Sequence, residues 1–370
     1  METRGFGKRS GLLVAPVSIG AMRLPEDCID AIALIRHAID SGMRYIDTSR
    51  GYGESEFKLG AALKDGYREK VILSSKCSPW VKKVRDDDDG SADSVRRRID
   101  ETMLRLGVEK LDFYQVWSIN DREGWELATK KGGMVDGICR AMDEGLVGHA
   151  GFTTHDSVEN LLEYLDMADW VEIILITFNL LNRTYQPVLE KAHSLGIGTI
   201  VMNPVGGGRL TGYSDVIMRL AFELGSQSVA DLAVRYVLSN PNVDTILCGM
   251  QTPSDVDDTI ASAKKRTFSP EELNTANEFF TKRSTESVGF CTGCKYCMPC
   301  PAGIDIPGIM AAAYEARFLG LIENAKRRYM QATREVGPDA CTDCGACEEK
   351  CTQSLKIRGE LAYAKAELAS

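Results

Sequence analysis

The chain lacks the features that mark nucleic-acid-binding, secreted and membrane proteins. It has 44 Lys and Arg against 53 Asp and Glu, and a net charge of −9 argues against the clustered basic surface that binds nucleic acid. No run approaches the roughly 18 apolar residues of a membrane-spanning helix. The opening stretch, METRGFGKRS, is polar and glycine-rich, which excludes an apolar signal peptide. These absences predict a cytoplasmic protein with no membrane and no nucleic-acid partner.

Cysteine, by contrast, is plentiful and unevenly placed. Eight of the chain's 12 cysteines lie in two short runs between Cys291 and Cys351. In a cytosolic protein, clustered cysteines indicate metal or redox chemistry more often than disulfide bonds. The two runs therefore predict a metal-binding or redox module that follows a much longer segment of different character.

The spacing of the two runs indicates iron–sulfur clusters. The second run, CTDCGACEEKC, has the C-x2-C-x2-C-x3-C spacing of bacterial ferredoxins, and the first run, CTGCKYCMPCP, is one residue shorter before its last cysteine. Paired four-cysteine zinc sites are the alternative, but they favour two separated C-x2-C pairs. In two-cluster ferredoxins the fourth cysteine of each run binds the other cluster. The predicted ligand sets are Cys291, Cys294, Cys297 and Cys351 for one cluster, and Cys341, Cys344, Cys347 and Cys300 for the other.

The first 282 residues alternate short β-rich runs with longer amphipathic segments. Strands are predicted at 17–20, 45–47, 71–75, 113–117, 149–153, 173–177, 198–202 and 245–248. Eight strands joined by helical crossovers indicate an α/β fold, the (β/α)8 TIM barrel. A doubly wound sheet is the alternative, but SIGAMRLP after the first strand is not its glycine fingerprint.

Two domains are predicted, a barrel over residues 1–282 and a small iron–sulfur domain over residues 283–370. The segment between the cysteine runs, residues 306–336, has apolar residues at helical spacing. We therefore expect a mainly helical ferredoxin-like domain with two [4Fe-4S] clusters.

Three polar residues follow neighbouring strands of the predicted barrel. Asp47 ends the second strand, Tyr52 lies in the loop after it, and Lys76 ends the third strand. Chemistry in such barrels takes place at the carboxyl ends of the strands. A buried Asp–Lys pair can depress the pKa of a nearby tyrosine, because it places positive charge beside the hydroxyl. Such a phenol can protonate a carbonyl oxygen or accept the proton in the reverse reaction.

An ordered set of motifs resembles the aldo-keto reductase superfamily, in the branch with a C-terminal ferredoxin-type domain. The motifs are RGFGKRSGL, IDTSRGYGESE, LSSK, GFTTHD, FNLLNR, MNPVGGGRLTG and ILCGMQTPSDVDD, followed by CTGCKYCMPCP. The resemblance implies an NAD(P)-dependent reductase of small carbonyl compounds, with the tyrosine as acid/base. It also implies a histidine at the end of the fourth strand, where this chain has Trp117. His155, just past the fifth strand, is a second candidate for that space, or only a packing residue.

The resemblance also implies a nucleotide site. Thr153 and Thr154 stand where the family often has Ser-Asn against the nicotinamide, and Asn203 follows the seventh strand where an aromatic usually stacks. The glycine-rich segment after that strand is either a phosphate cradle or a flexible loop. GMQTPSDVDD has no Arg or Lys for the 2′-phosphate of NADP. The remaining implied contacts are Gly206, Gly207, Arg209, Leu210, Gly249, Gln251 and Ser254.

The favoured interpretation is an oxidoreductase with Tyr52 as acid/base and electron transfer through the two clusters. A hydride carries two electrons and a cluster carries one, so a flavoprotein or ferredoxin partner would connect the two steps. One alternative is an NAD(P)-dependent carbonyl reductase whose clusters are purely structural. Another is a non-catalytic electron carrier or redox-sensing docking protein on a retained barrel.

Overall fold

The computed structural model describes residues 1–80, 87–286, 291, 297–351 and 355–369. The chain divides into two compact units. The first consists of Met1–Pro204 with Val234–Thr267, and the second of Val205–Ala233 with Phe268–Ser370. Residues 205–233 thus group with the C-terminal segment, whereas the sequence predicted one division after residue 282.

The first unit contains a closed barrel of eight parallel strands, which confirms the predicted fold. Two further strands, β1 and β2, form an antiparallel hairpin at Arg4–Gly5 and Leu13–Val14. The barrel strands are β3 (Val17–Gly20), β4 (Tyr45–Asp47), β5 (Ile72–Cys77), β6 (Leu111–Ile119), β7 (Val147–Thr154), β8 (Ile173–Thr177), β9 (Gly198–Met202) and β10 (Thr245–Cys248). They pair in the order β10-β3-β4-β5-β6-β7-β8-β9, so β10 closes the barrel.

Five of the eight barrel strands have the predicted bounds, since each is a short, almost wholly buried run. The other three are longer than predicted. The extension of β6 includes a register shift against β7 between Val116 and Ile119. Such a bulge lets a strand continue while it re-aims the side chains beyond it.

The crossover helices follow from their caps and apolar faces. Asp27 accepts hydrogen bonds from Ile29 N and Asp30 N at the start of the first helix, and Gly107 ends the third in a left-handed conformation, with φ of 64°. The helices of this part are α1 (Cys28–Asp40), α2 (Ser55–Ala62), α3 (Ala92–Leu106), α4 (Arg122–Thr129), α5 (Met134–Asp143), α6 (Val158–Met167) and α7 (Gln186–Ser194). After β9 come α8 (Asp215–Glu223), α9 (Val229–Leu238) and, after β10, α10 (Pro253–Ala263).

The interior of the barrel is filled from the hairpin as well as from the strands. Phe6, in the β1–β2 connection, is fully buried and packs with Tyr45 and Phe113 at ring-centroid distances of 5.2 and 5.4 Å. Gly7 beside it has φ of 64°, and a Cβ there would lie 2.4 Å from the backbone of Gly198. This packing leaves the carboxyl ends of the strands for polar side chains.

The C-terminal segment of the second unit is helical, as predicted. Its helices are α11 (Pro270–Glu286), α12 (Ile306–Arg317), α13 (Ile322–Ala332), α14 (Ala346–Glu349) and α15 (Ile357–Leu368). The buried faces of α12, α13 and α15 form one hydrophobic core that includes Ile309, Ala325 and Leu361. In the part of the chain that is described, no helix is both long and apolar enough to cross a membrane.

Candidate functional site

An ion pair between Asp47 and Lys76 lies at the carboxyl ends of two adjacent barrel strands. Asp47 ends β4 and is 3% exposed, while Lys76 lies near the end of β5 and is 1% exposed. Lys76 Nζ pairs with Asp47 Oδ1 and donates to Thr48 O at 2.8 Å. Because a buried charge needs both a counter-ion and hydrogen bonds, these contacts account for an ammonium group inside the barrel.

Tyr52 faces this pair from the loop after β4. Its backbone forms a tight turn, in which Tyr52 N donates to Ser49 O at 3.0 Å and Ser55 N donates to Tyr52 O at 3.1 Å. The ammonium group of Lys76 lies 4.8 Å from the centre of the tyrosine ring. The structure thus brings together the three residues that the sequence predicted as a set.

The expected depression of the tyrosine pKa is wrong. Burial raises the pKa of Tyr52, and although the charge and hydrogen bond of Lys76 favour the phenolate, the net shift is upward. For Asp47, burial raises the pKa against the opposing effects of Lys76 and Gln115. For Lys76, burial lowers the pKa, but Asp47 and Tyr52 outweigh it, so its pKa is raised. Tyr52 therefore keeps its proton at neutral pH beside a charged lysine.

Trp117, which stands at the position of the family's histidine, contacts Tyr52 directly. The two rings meet edge to face, 5.3 Å between centroids and at 85°. The next residue, Ser118, has φ of 64° within the β6 bulge, and its amide donates to Thr153 Oγ1 at 2.7 Å. Trp80 Nε1 donates to Ser118 O at 2.6 Å. Hydrogen bonds from both sides thus fix the bulge. The Trp117 indole, which lies against Tyr52, cannot titrate.

The last residues of β7 and the residue after it lie near the β6 bulge. The hydroxyl of Thr154 donates to Ile119 O at 2.6 Å, and Thr153 Oγ1 accepts from the bulge, so both predicted nicotinamide contacts also brace β6. His155 N donates to Ile119 O at 3.3 Å, and its side chain is exposed. Neighbouring atoms still desolvate the ring enough to lower the pKa of His155. A neutral imidazole is therefore expected there at pH 7.

Four of the predicted nucleotide contacts lie after β9 and β10. Asn203 has φ of 56° and accepts from Asn179 Nδ2 at 2.9 Å through its carbonyl. Gly249 and Gln251 are exposed, as is Ser254 near the start of α10. The amides of Gln251 and Thr252 both donate to Asp255 Oδ2 at 2.9 Å. The amino end of α10 therefore already binds a carboxylate, which disfavours an added phosphate at the same amides.

The other predicted nucleotide contacts belong to the second unit. Gly206, Gly207 and Gly208 have φ of 63°, 69° and 95°, a run of left-handed conformations that favours glycine and is typical of anion-binding loops. Leu210 is fully buried, so only its backbone could contact a ligand. Arg209 Nε donates to Gly206 O at 3.0 Å, which ties the guanidinium to the loop.

Arg209 is also an ion-pair partner of the helical segment. Its Nη1 lies 3.4 Å from Glu315 Oε1, and Arg328 Nη2 lies 3.0 Å from the same oxygen. Glu315 is 1% exposed, and Asn324 Nδ2 donates to Arg209 O at 2.8 Å. The one predicted cation of the glycine-rich loop is therefore held by α12 and α13.

The second predicted cluster set lies around one cleft. Its lining includes Cys300 together with Cys341, Cys344 and Cys347, the four cysteines that the cross-over rule assigned to one cluster. Cys297, Lys350 and Arg358 also line this cleft. Arg358 pairs with Asp343 at 2.7 Å and Glu348 at 2.8 Å, so it joins α15 to the second cysteine run. Five thiols thus line one cleft, and the four of the second predicted set fit the donor set of a [4Fe-4S] cluster, while Cys297 was predicted for the other cluster.

The first predicted set is described only in part. Cys291, Cys297 and Cys351 are partly buried against the core of α12, α13 and α15, and Cys294 lies outside the described residues. Across the residues that are described, no three Cys, His, Asp or Glu side chains converge as they would on a single metal ion. A cluster differs from such a site, because each thiolate binds a separate iron atom.

Sequence reasoning missed Gln115, which is hydrogen-bonded to Asp47 of the Asp47–Lys76 ion pair. Its Nε2 donates to Asp47 Oδ2 at 3.0 Å and to Ser74 Oγ at 2.8 Å. The available signal was one amide inside the largely apolar strand LDFYQVWSI, four residues before the strand end. Periodicity alone could not show that this side chain points at Asp47.

Comparison with known proteins agrees with the fold. L-galactose dehydrogenase from Arabidopsis thaliana is 28% identical over 289 residues, covering 71% of this chain and 88% of that protein. L-glyceraldehyde 3-phosphate reductase from Escherichia coli strain K12 is 23% identical over 323 residues, covering 74% and 90%. The solved holo form of an aldo-keto reductase from Bacillus halodurans shares the fold, with a TM-score of 0.64 and 21% identity over 75% of this chain and 96% of that one.

Models of two known families match successive parts of the chain. The model of the 4Fe-4S dicluster domain matches residues 290–355, and the model of the aldo/keto reductase family matches residues 16–280. Both agree with the resemblance that the motifs carry. The chain therefore belongs to the aldo/keto reductase family, and it is an oxidoreductase with a 4Fe-4S domain at its C-terminal end.

Proposed function

We propose that this oxidoreductase reduces a carbonyl group of a small molecule, or oxidises the corresponding alcohol, at the carboxyl ends of the barrel strands. Tyr52 is the acid/base. The observation that carries the proposal is the buried Asp47–Lys76 pair, whose ammonium group lies 4.8 Å from the centre of the Tyr52 ring. That charge stabilises the phenolate that forms when Tyr52 gives its proton to the carbonyl oxygen.

The proposed reaction also needs a nucleotide that donates or accepts the hydride. A bound NAD(P) would supply the hydride. Thr153, Thr154 and Asn203 are the proposed contacts of its nicotinamide half, while Gly249, Gln251 and Ser254 are proposed for its nucleotide half. The glycine-rich loop with Gly206, Gly207, Arg209 and Leu210 fits the phosphates, because its left-handed backbone and single guanidinium suit an anion. Trp117 and His155 are proposed to line the substrate pocket and to position the substrate without transferring a proton.

We also propose that two [4Fe-4S] clusters, bound by the eight cysteines of the two runs, pass electrons to or from a flavoprotein or ferredoxin. The cleft that gathers Cys300 with Cys341, Cys344 and Cys347 supports the second ligand set, although Cys297 of the first set lines the same cleft. Lys350 and Arg358 at the same cleft favour the electron-rich, reduced state of a cluster.

The first experiment is an anaerobic titration of the full chain with NADH and with NADPH. Tryptophan quenching measures binding, and loss of the broad visible absorption measures cluster reduction. Binding with bleaching supports electron exchange between nucleotide and clusters. Failure of both nucleotides to bind would overturn the nicotinamide part of the proposal.

The catalytic part is tested by Tyr52→Phe in a carbonyl-reductase assay over a panel of small aldehydes and ketones. We expect kcat to fall by at least about 100-fold with nucleotide binding unchanged, the usual loss for a missing acid/base. Tyr67→Phe is the matched control, since that hydroxyl bonds Asp40 at 2.7 Å outside the site. Full turnover by the Tyr52→Phe protein would exclude the assigned role.

A second candidate function keeps the carbonyl chemistry but makes the clusters structural. It is favoured by one observation: five cysteines of the runs, Cys291, Cys297, Cys300, Cys347 and Cys351, pack against the hydrophobic core of the helical segment. On this alternative, nucleotide binds and turns over without bleaching the clusters, and iron removal unfolds the segment without changing kcat. If the native protein shows neither reductase activity nor nucleotide binding, an electron-carrier or redox-sensing role is favoured instead.

A further inference from the structure

Gln115 is a buried amide directed at the carboxylate of the site. It lies in β6, in register with Lys76 of β5, and has no exposed surface. Its Nε2 donates to Asp47 Oδ2 at 3.0 Å and to Ser74 Oγ at 2.8 Å, while Asp47 Oδ1 is paired with Lys76. Each carboxylate oxygen of Asp47 therefore has its own partner, which fixes the plane of the carboxylate.

The direction of the amide follows from the charge of Asp47. With the amide reversed, Gln115 Oε1 would oppose Asp47 Oδ2, two acceptors with no proton between them. As oriented, one N–H serves Asp47 and the other serves Ser74. The more distant Tyr45 hydroxyl, at 3.4 Å, is a weak contact. Gln115 is thus a donor matched to an ionised aspartate.

This amide is costly for the fold. Its Oε1 is buried and has no hydrogen-bond partner among the described residues. An unsatisfied buried polar atom costs about 1–3 kcal/mol, and a leucine of similar size would avoid it. The hydrogen bond that Gln115 donates to Asp47 explains why a residue that lowers stability is present at this position.

We propose that Gln115 is a positioning residue that keeps Asp47 ionised and oriented toward Lys76, and through Lys76 supports proton transfer at Tyr52. The inference rests on the proposed acid/base role of Tyr52. The hydrogen bonds of Gln115 are with Asp47, with Ser74 and, weakly, with Tyr45. Its effect reaches the reaction through the charge state of Asp47, because a protonated Asp47 would leave the buried ammonium group without its counter-ion.

The test compares the pH dependence of kcat/KM in three variants of the full chain. Gln115→Leu removes the donor, and we expect the acid-side inflection to move up by about one pH unit. Gln115→Glu keeps the volume but places a second carboxylate beside Asp47, and two such groups cannot both stay ionised, so the inflection should move further. Thr245→Val is the matched control, since it removes a fully buried barrel hydrogen bond, Ser18 to Thr245 at 2.6 Å, that does not reach Asp47.

A second readout separates this inference from the proposed function. Infrared titration of protein labelled with 13C-aspartate follows the protonated carboxyl band of Asp47, which Asp47→Asn identifies by its loss. An upward shift of that band in Gln115→Leu, in a protein without carbonyl turnover, supports the positioning role and overturns the proposed reaction. Unshifted titration in both Gln115 variants, with or without turnover, overturns the positioning role. Should Gln115→Leu fail to fold, Gln115→Glu alone decides between these outcomes.

Discussion

Replacing Asp47 with asparagine isolates the energetic cost of the buried lysine. Lys76 is 1% exposed, so without its counter-ion it must either stay charged in the interior or lose its proton. Taking a lysine with an ordinary pKa of about 10.4 to neutrality at pH 7 costs about 4.6 kcal/mol, at 1.36 kcal/mol per pH unit, which sets the upper limit. The contacts with Thr48 O and the Tyr52 ring remain. We therefore expect Asp47→Asn to lose about 3–4 kcal/mol of unfolding free energy at pH 7.

The pH dependence of this loss follows from the direction of each pKa shift. In the native protein the pKa of Lys76 is raised, so its stabilising contribution is fully present below the unfolded value and is lost only as the pH rises past it. In Asp47→Asn the folded pKa becomes depressed, so the penalty is largest at low pH and fades as the pH approaches 10. The difference between the two proteins should therefore shrink steadily from pH 7 to pH 10.

Urea unfolding followed by tryptophan fluorescence measures the difference in unfolding free energy between the native protein and Asp47→Asn, and it does so in the barrel. All four tryptophans, Trp80, Trp117, Trp125 and Trp170, lie in the first compact unit, so their emission reports the barrel. Asp40→Asn is the control. It breaks the exposed ion pair with Lys70, 3.2 Å long, and should leave the urea midpoint unchanged. A loss below about 1 kcal/mol in Asp47→Asn, or one that stays constant from pH 7 to 10, would refute the buried-counter-ion argument.

Three further predictions concern the nucleotide and the clusters. NADH should bind about five- to tenfold more tightly than NADPH, because the Asp255 carboxylate occupies the amides of Gln251 and Thr252 just before α10, and Asp255→Asn should narrow that difference in affinity in fluorescence titrations. Arg209→Gln should weaken nucleotide binding about tenfold, whereas Arg328→Gln, which removes the other guanidinium beside Glu315, should not. Cys300→Ser should lower the iron content from about eight atoms to about four per chain, while Ser at the exposed Cys28 changes nothing in the same iron assay.

The sequence was sufficient for the barrel because its strands are local features. Runs such as Ile173–Thr177 and Gly198–Met202 are buried and bounded by polar turns, so composition and length identify them. The end of β6 was missed, since its bulge depends on bonds from Trp80 and Thr153, which are distant in sequence. A bulge imposed by such contacts leaves no local signal in the strand itself.

For the site too, some features could be predicted from the sequence and others could not. The set of Asp47, Tyr52 and Lys76 was predictable because each residue lies at or just after the carboxyl end of a strand, and parallel strands bring those ends together. The direction of the Tyr52 pKa was not, because it depends on a balance between burial and the Lys76 charge that only the packed structure sets. Gln115 was missed for a related reason: its importance lies in its register with Lys76, across two strands.

The raised pKa of Tyr52 makes the rates of the two directions of the proposed reaction depend differently on pH. Carbonyl reduction consumes one hydride and one proton, and a phenol that keeps its proton at neutral pH is ready to donate it. Alcohol oxidation needs the phenolate, so its rate should rise with pH toward the tyrosine pKa while reduction declines. Since Trp117 cannot titrate, the proton inventory at this end of the barrel depends on Tyr52 and on the ionised Asp47 that retains the charge of Lys76. Neutral pH therefore favours reduction, and the electrons for a catalytic cycle must be supplied in pairs, as a hydride or as two successive single electrons collected outside the barrel.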